Sequence, residues 1–191
     1  MSKLLTDGEK QTLLHIAREA ITHAVKGKPL PSLDKEPLTS ALSENGASFV
    51  TLTIHGELRG CIGALEAYQP LANDVREHAI AAALDDPRFP PVGEKELSRI
   101  HIEGSCLTKP QEMEYGSSDD LVAKLRPNID GVILRHGMRR ATFLPQVWEK
   151  IPDTEDFLEQ LCYKMGVRGN TWRDTKLQVY TYQVEEFHEL N

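Results

Sequence analysis

The stretch ASFVTLTIHGELRGCIG, residues 47–63, decides how this chain folds. Phe49, Val50, Leu52 and Ile54 mix with threonines in a β-rich run, and His55-Gly56-Glu57 then reverses the chain into Leu58-Arg59-Gly60-Cys61-Ile62-Gly63. The pattern predicts a hairpin. Strict strand alternation would put Arg59, Cys61 and Gly63 on one face and Leu58, Gly60 and Ile62 on the other. A guanidinium beside a thiol favours the thiolate, and Gly60 and Gly63 would let a ligand or another backbone come close. The same residues also suit a plain structural reading, in which Cys61 is a small buried hydrophobe and the glycines mark a bulge. Spacing alone leans to the structural reading and leaves both open.

Outward from this hairpin, Leu13, Ala17, Ala20, Ile21, Ala24 and Val25 recur at helical spacing and predict a helix over Asp7 to Lys26. Thr6 and Glu9 stand at capping-box spacing before it, and Gly27 stops it. The proline-bearing segment 28–37 reads as a connector. Pro70 opens a second amphipathic helix carrying Leu71, Val75, Ala79, Ala82 and Ala83, which ends before the stiff loop Asp85-Asp86-Pro87-Arg88-Phe89-Pro90-Pro91. Ile100, Ile102, Gly104 and Cys106 alternate with more polar residues as a strand, ended by Pro110. A short helix is expected over Asp119–Leu125, and a second hairpin over Gly131–Leu144 about a His136-Gly137 turn. A helix capped by Asp153 and stopped at Gly166 follows, and Lys176 to Phe187 reads as one last long β-rich run. Strands outnumber helices without βαβ alternation, so the class is α+β with mostly antiparallel pairing.

At 191 residues the chain is one domain or two small lobes, and 40% hydrophobic against 27% charged residues excludes disordered and low-complexity classes. A net charge of −7 repels a phosphate backbone, which argues against general nucleic-acid binding. Arg135, Arg139 and Arg140 with His136 form a single basic cluster, too small to reverse that balance. No window approaches the length of an apolar membrane span, and the start Met1-Ser2-Lys3-Leu4-Leu5 has no leader-like apolar run, so a cytoplasmic protein is expected. Cys61, Cys106 and Cys162 are odd in number and far apart, which reads as three reduced thiols, Cys106 and Cys162 in the core.

Phosphate-loop, dinucleotide-binding, zinc-protease and nucleophile-elbow motifs are absent, and the seven histidines are dispersed, so no metal is expected and the cofactor is left unknown. Beyond the hairpin, the loop from Asp85 to Pro90 could grip a polar ligand through Arg88, or simply end a helix with Arg88 on Asp86 and Phe89 plugging the core. Glu103 shares a strand face with His101 and is a candidate acid or base, or else part of a solvated face. Lys164 stands near a helix C-terminus, where it offsets the macrodipole, with ligand binding against Trp172 as its functional alternative.

Four ordered motifs, Leu58-Arg59-Gly60-Cys61-Ile62-Gly63, Asp86-Pro87-Arg88-Phe89-Pro90-Pro91, Leu144-Pro145-Gln146-Val147 and Lys164-Met165-Gly166 with Trp172, together resemble the AMMECR domain family, in microbes the AmmeMemoRadiSam system protein A. The resemblance spans nearly the whole chain, which it implies is a single domain over 1–191. Met165 departs from it, standing where many members carry a small alanine. The resemblance implies two intimately associated lobes, mainly antiparallel sheet flanked by helices, with an inter-lobe cleft near the cysteine hexapeptide. It also implies a shared pathway with a Memo-like protein and a radical S-adenosylmethionine protein. Three functions follow as expectations. The first is an enzyme or enzyme component with Cys61 and Glu103 catalytic and Arg59, Gly60, Gly63, Arg88 and Lys164 holding a small molecule. The second is a non-catalytic protein-binding adaptor. The third is a regulator of transcription, replication, repair or translation, which the charge disfavours.

Overall fold

A computed structural model describes residues 4–190; the first three residues of the start read above for a leader, and residue 191, lie outside the described residues. In chain order the elements are α1 (Asp7–Val25), α2 (Ser40–Ser43), β1 (Asn45–Ile54), β2 (Glu57–Gly63), β3 (Gln69–Pro70), α3 (Leu71–Leu84), β4 (Ile100–Leu107) and β5 (Gln111–Glu112). They continue with α4 (Ser118–Lys124), β6 (Gly131–His136), β7 (Arg139–Phe143), α5 (Thr154–Met165), α6 (Thr171–Asp174), β8 (Gln178–Tyr182) and β9 (Val184–His188). The chain divides into two compact units, Met1–Thr108 with Glu185–Asn191, and Lys109–Val184.

The first unit is built on a sheet of order β2-β1-β4-β9, with β3 pairing with β1 at one end, and β1 is antiparallel to β2, β3 and β4. Helix α1 begins where the sequence predicts: Thr6 Oγ1 accepts the Glu9 N–H at 3.3 Å while Glu9 Oε2 accepts the Thr6 N–H at 2.7 Å. The other oxygen of the buried Glu9 accepts the Thr39 hydroxyl at 2.6 Å, which ties the residue that opens α2 to the start of α1. The turn joining β1 and β2 has positive φ at both His55 (53°) and Gly56 (80°), the geometry a two-residue hairpin loop demands. Val50, Leu52, Ile102 and Cys106 on one face of the sheet join Leu13 and Ile21 of α1 and Val75 and Ala79 of α3 in one core. Each such fully buried aliphatic side chain contributes about 1.5–3 kcal/mol relative to exposure.

The second unit carries a sheet of order β5-β8-β6-β7, antiparallel throughout. Val132, Leu134, Ala141 and Val179 pack on Trp148, Phe157, Leu158 and Leu161 in a separate core. Trp148 lies in the 3₁₀ turn Pro145–Glu149, stacks on Phe157 with centroids 3.6 Å apart, and donates its indole N–H to the Asp130 carbonyl at 2.8 Å. Asp153 caps α5 through the Glu155 and Asp156 amides, and Gly166 ends it in the left-handed conformation, as its sequence predicts.

Two expectations need correction. The run Lys176–Phe187 is two strands, not one: β8 lies between β5 and β6 in the second unit, whereas β9 joins β4 in the first. Composition reports strand propensity and carries no record of which sheet a strand enters. The second hairpin turns on Gly137-Met138 instead of His136-Gly137, since His136 pairs with Arg139 and only Gly137 takes positive φ (61°).

Candidate functional site

Counting back from the two-residue turn, an unbroken ladder would set Cys61 opposite Val50, on the face covered by the helices. The register instead shifts between Leu52 and Thr53, leaving Arg59 as an extra residue between Leu58, opposite Thr53, and Gly60, opposite Leu52. This bulge moves everything after Arg59 by one place and turns Cys61 to the sheet's other face, opposite Thr51. The alternation expected from sequence, with Arg59 and Cys61 side by side and Leu58 on the other face, is corrected by that single insertion. On the resulting face three rows cross β2, β1 and β4: Leu58, Thr53 and His101; Cys61, Thr51 and Glu103; Gly63, Phe49 and Ser105. Thr51 donates its hydroxyl to Cys61 Sγ at 3.2 Å. Glu103 is exposed one strand further, about 10 Å from Cys61 at two strand spacings. The two groups therefore reach a common substrate more readily than each other.

Strand β2 is the sheet's edge, and its backbone at Cys61 is met by side chains. Asp86 Oδ2 accepts the Cys61 N–H at 2.8 Å, and the Arg88 guanidinium donates to the Cys61 carbonyl at 3.3 Å. The same guanidinium grips both Asp86 oxygens, at 3.0 and 2.7 Å, and the Arg88 N–H donates to Asp86 as well. The buried Asp86 and its arginine thus act as a substitute strand, which blunts the edge at one residue. The Arg88 hydrogen bonds first, and then the Cys61 amide, hold the Asp86 carboxyl well below the usual carboxylate range, and Asp86 in turn raises Arg88.

Arg59 is committed elsewhere. It forms a two-pronged pair with Glu96, at 2.8 and 3.2 Å, and holds that carboxyl below its ordinary value. Its side chain is 13% exposed, against 54% for Arg88, so Arg88 is the open cation beside the cysteine backbone. Phe89 lies half-buried within 6 Å of both guanidiniums, 5.9 Å from Arg59 and 5.6 Å from Arg88, and does not plug the core as expected.

The two glycines meet protein atoms. A Cβ on Gly60 would stand 2.1 Å from the Ala82 carbonyl of α3, and one on Gly63 would stand 2.3 Å from the Phe49 ring. Lys164 lies in the second unit, where its ammonium donates to the Thr142 carbonyl at 2.9 Å and sits 5.0 Å from the Phe143 ring centre. Trp172 is buried in that unit's core and is no wall for Lys164; it carries Arg173 over its ring instead.

Of the three cysteines, Cys61 is half-buried and Cys106 and Cys162 are buried, and burial pushes both buried thiols up. A second polar cluster, unmarked in the sequence, joins Ser48, Asp74 and His78 on the core side. Ser48 donates to Asp74 Oδ2 at 2.6 Å, and His78 Nδ1 is 3.1 Å from that oxygen and 3.3 Å from the serine. A hydrolytic triad needs serine and aspartate on opposite ring nitrogens; here both face Nδ1, so the cluster anchors α3 to β1. Sequence reading missed Thr51, which only the bulge brings to Cys61, whereas the pairing of Arg88 with Asp86, one of the two readings of that loop, is present. Among the described residues no group of three or more His, Cys, Asp or Glu side chains is placed to hold a metal, and no helix is long and apolar enough to cross a membrane.

The arrangement is that of an α+β protein with one accessible cysteine on an edge strand clamped by an aspartate–arginine pair. The family model for AMMECR1 matches residues 14–187, and the chain belongs to that family. It is 39% identical over 190 residues to a protein of Methanothermobacter thermautotrophicus, covering 97% of this chain and 96% of that one. A protein of Thermofilum pendens is 37% identical over 202 residues, covering 97% of this chain and 92% of the relative. The crystal structure of the uncharacterized protein PH0010 from Pyrococcus horikoshii superposes with a TM-score of 0.70 at 34% identity, covering 93% of this chain and 89% of that one.

Proposed function

We propose that this protein is the thiol-bearing component of an enzyme system, working with a Memo-like protein and a radical S-adenosylmethionine protein on a small molecule or a protein substrate. The observation that carries this reading is the Arg59 bulge, which takes a cysteine that regular pairing would bury and presents it on the open sheet face. Cys61 is the nucleophile or thiolate ligand. Arg88, open and adjoining the Cys61 carbonyl, is the anchor for an anionic group, and Glu103 is the acid or base that meets the substrate from the far side of the row. Arg59 shapes the strand and leaves the anion to Arg88; Gly60 and Gly63 admit helix and ring, and Lys164 serves its own unit.

The second reading, a protein-binding adaptor, is favoured by how completely both glycines are used in packing, which explains the hexapeptide without any chemistry. Reconstitution with the two partner proteins separates them. For the enzyme component, Cys61→Ser still co-elutes with its partners but abolishes product formation. An adaptor gives a Cys61→Ser system as active as the parent, and that outcome overturns the proposal.

A further inference from the structure

The Asp86 and Arg88 side chains take the Cys61 N–H and carbonyl on the outer edge of β2, so Cys61 and Thr51 form a non-hydrogen-bonded pair of the β1–β2 ladder. In such a pair the Cα atoms come within about 4.5 Å and the side chains stand closest together. Thr51 is half-buried between β2 and β4, and its branched Cβ limits the rotamers that carry the hydroxyl. That hydroxyl donates to Cys61 Sγ at 3.2 Å. A thiol sulfur is a weak acceptor and an ionised one a strong acceptor, so the donated bond favours the thiolate. The charged groups around the sulfur leave this task to a neutral donor. Asp86 and Arg88 meet the Cys61 backbone together and offset each other; Glu103 lies at the far end of the row with His101 beside it on β4; Arg59 is spent on Glu96.

We infer that Thr51 is a positioning residue for the chemistry proposed above: its hydroxyl holds the Cys61 sulfur as a thiolate and draws it inward toward β1, along the row that ends in Glu103. The inference rests on the reading of Cys61 as a working nucleophile. Thr51 touches no substrate in this role and acts through the sulfur alone. The division of labour leaves Arg88, on the other side of the cysteine backbone, to the anionic group of the substrate. It also gives the Arg59 bulge a second consequence, since the shift that turns Cys61 to the open face is the same one that sets it opposite a hydroxyl; an unbroken ladder would set it opposite Val50, which has none.

The test is the pH profile of Cys61 alkylation by iodoacetamide in the full chain, followed by mass spectrometry in the parent, Thr51→Val and Thr51→Ser. A change of access moves the plateau rate at high pH, whereas loss of a donor to the sulfur moves the midpoint. Thr51→Val keeps the shape and loses the hydroxyl, so the midpoint rises by about one pH unit while circular dichroism stays unchanged. Below both midpoints the reaction slows about three- to ten-fold, the greater basicity of the sulfur returning part of the loss. Thr51→Ser keeps the donor and restores the parental midpoint. Should the valine variant not fold, Thr51→Ala, which also lacks the hydroxyl, shows the same rise. An unchanged midpoint without the hydroxyl, or a Thr51→Ser midpoint as high as that of Thr51→Val, overturns the inference and leaves the reading of Cys61 standing. A parental Cys61 as protected as Cys106 and Cys162 overturns that reading and the inference with it.

Discussion

Gly60 and Asp86 decide whether the cysteine strand can exist. Adding a methyl at Gly60 drives a Cβ to 2.1 Å from a backbone carbonyl that cannot swing away, so Gly60→Ala destabilises the fold by about 1–3 kcal/mol, read from denaturant midpoints. Asp86 makes a pH-dependent contribution. Its folded-state carboxyl titrates below the unfolded one, so its stabilisation is complete above about pH 4, where the unfolded carboxyl is ionised, and is lost as pH falls toward the folded value. Asp86→Asn therefore lowers the thermal midpoint by a constant amount between pH 5 and 8, and the gap to the parent narrows below about pH 4. A gap that widened in acid would contradict the pairing with Arg88. At this scale the sequence was half legible. The hexapeptide and the Asp86–Arg88 pair stood out, but the partners of the hexapeptide did not, because Thr51 and Glu96 meet Cys61 and Arg59 only through pairing and loop geometry.

Among elements, those with local signals were read well and those defined by long-range pairing were not. Helix α1 has its start written in Thr6 and Glu9, and Thr6→Ala is expected to cost about 1 kcal/mol through the lost cap, measurable by chemical denaturation. Helix α5 was likewise legible from Asp153 and Gly166. Strand β2 was legible as a strand but not in its facing, since one unpaired residue, Arg59, inverts every later side chain and leaves no mark in an apolar–polar pattern beyond the glycine that follows it. The break between β8 and β9 was invisible for a related reason. Tyr182 and Val184 belong to equally good strand sequences, and the two sheets that claim them are assembled from segments far away along the chain.

In the whole molecule, two cores divide the stability. Trp148 holds the second core by stacking on Phe157 and closing a hydrogen bond to Asp130, so Trp148→Ala is expected to cost about 3–5 kcal/mol. Hydrogen exchange in that variant should lose protection first within Lys109–Val184. The charge is divided too: the second unit carries equal numbers of basic and acidic residues, so the net −7 of the chain resides in the first, with its cysteine. That the first unit presents a working thiol is the central claim, and native-state alkylation by iodoacetamide tests it most directly, with each cysteine followed by mass spectrometry across pH 6 to 9. The account predicts that Cys61 is modified rapidly while Cys106 and Cys162, buried and with raised thiol pKa values, stay protected until the chain unfolds. A Cys61 as protected as the other two would contradict it.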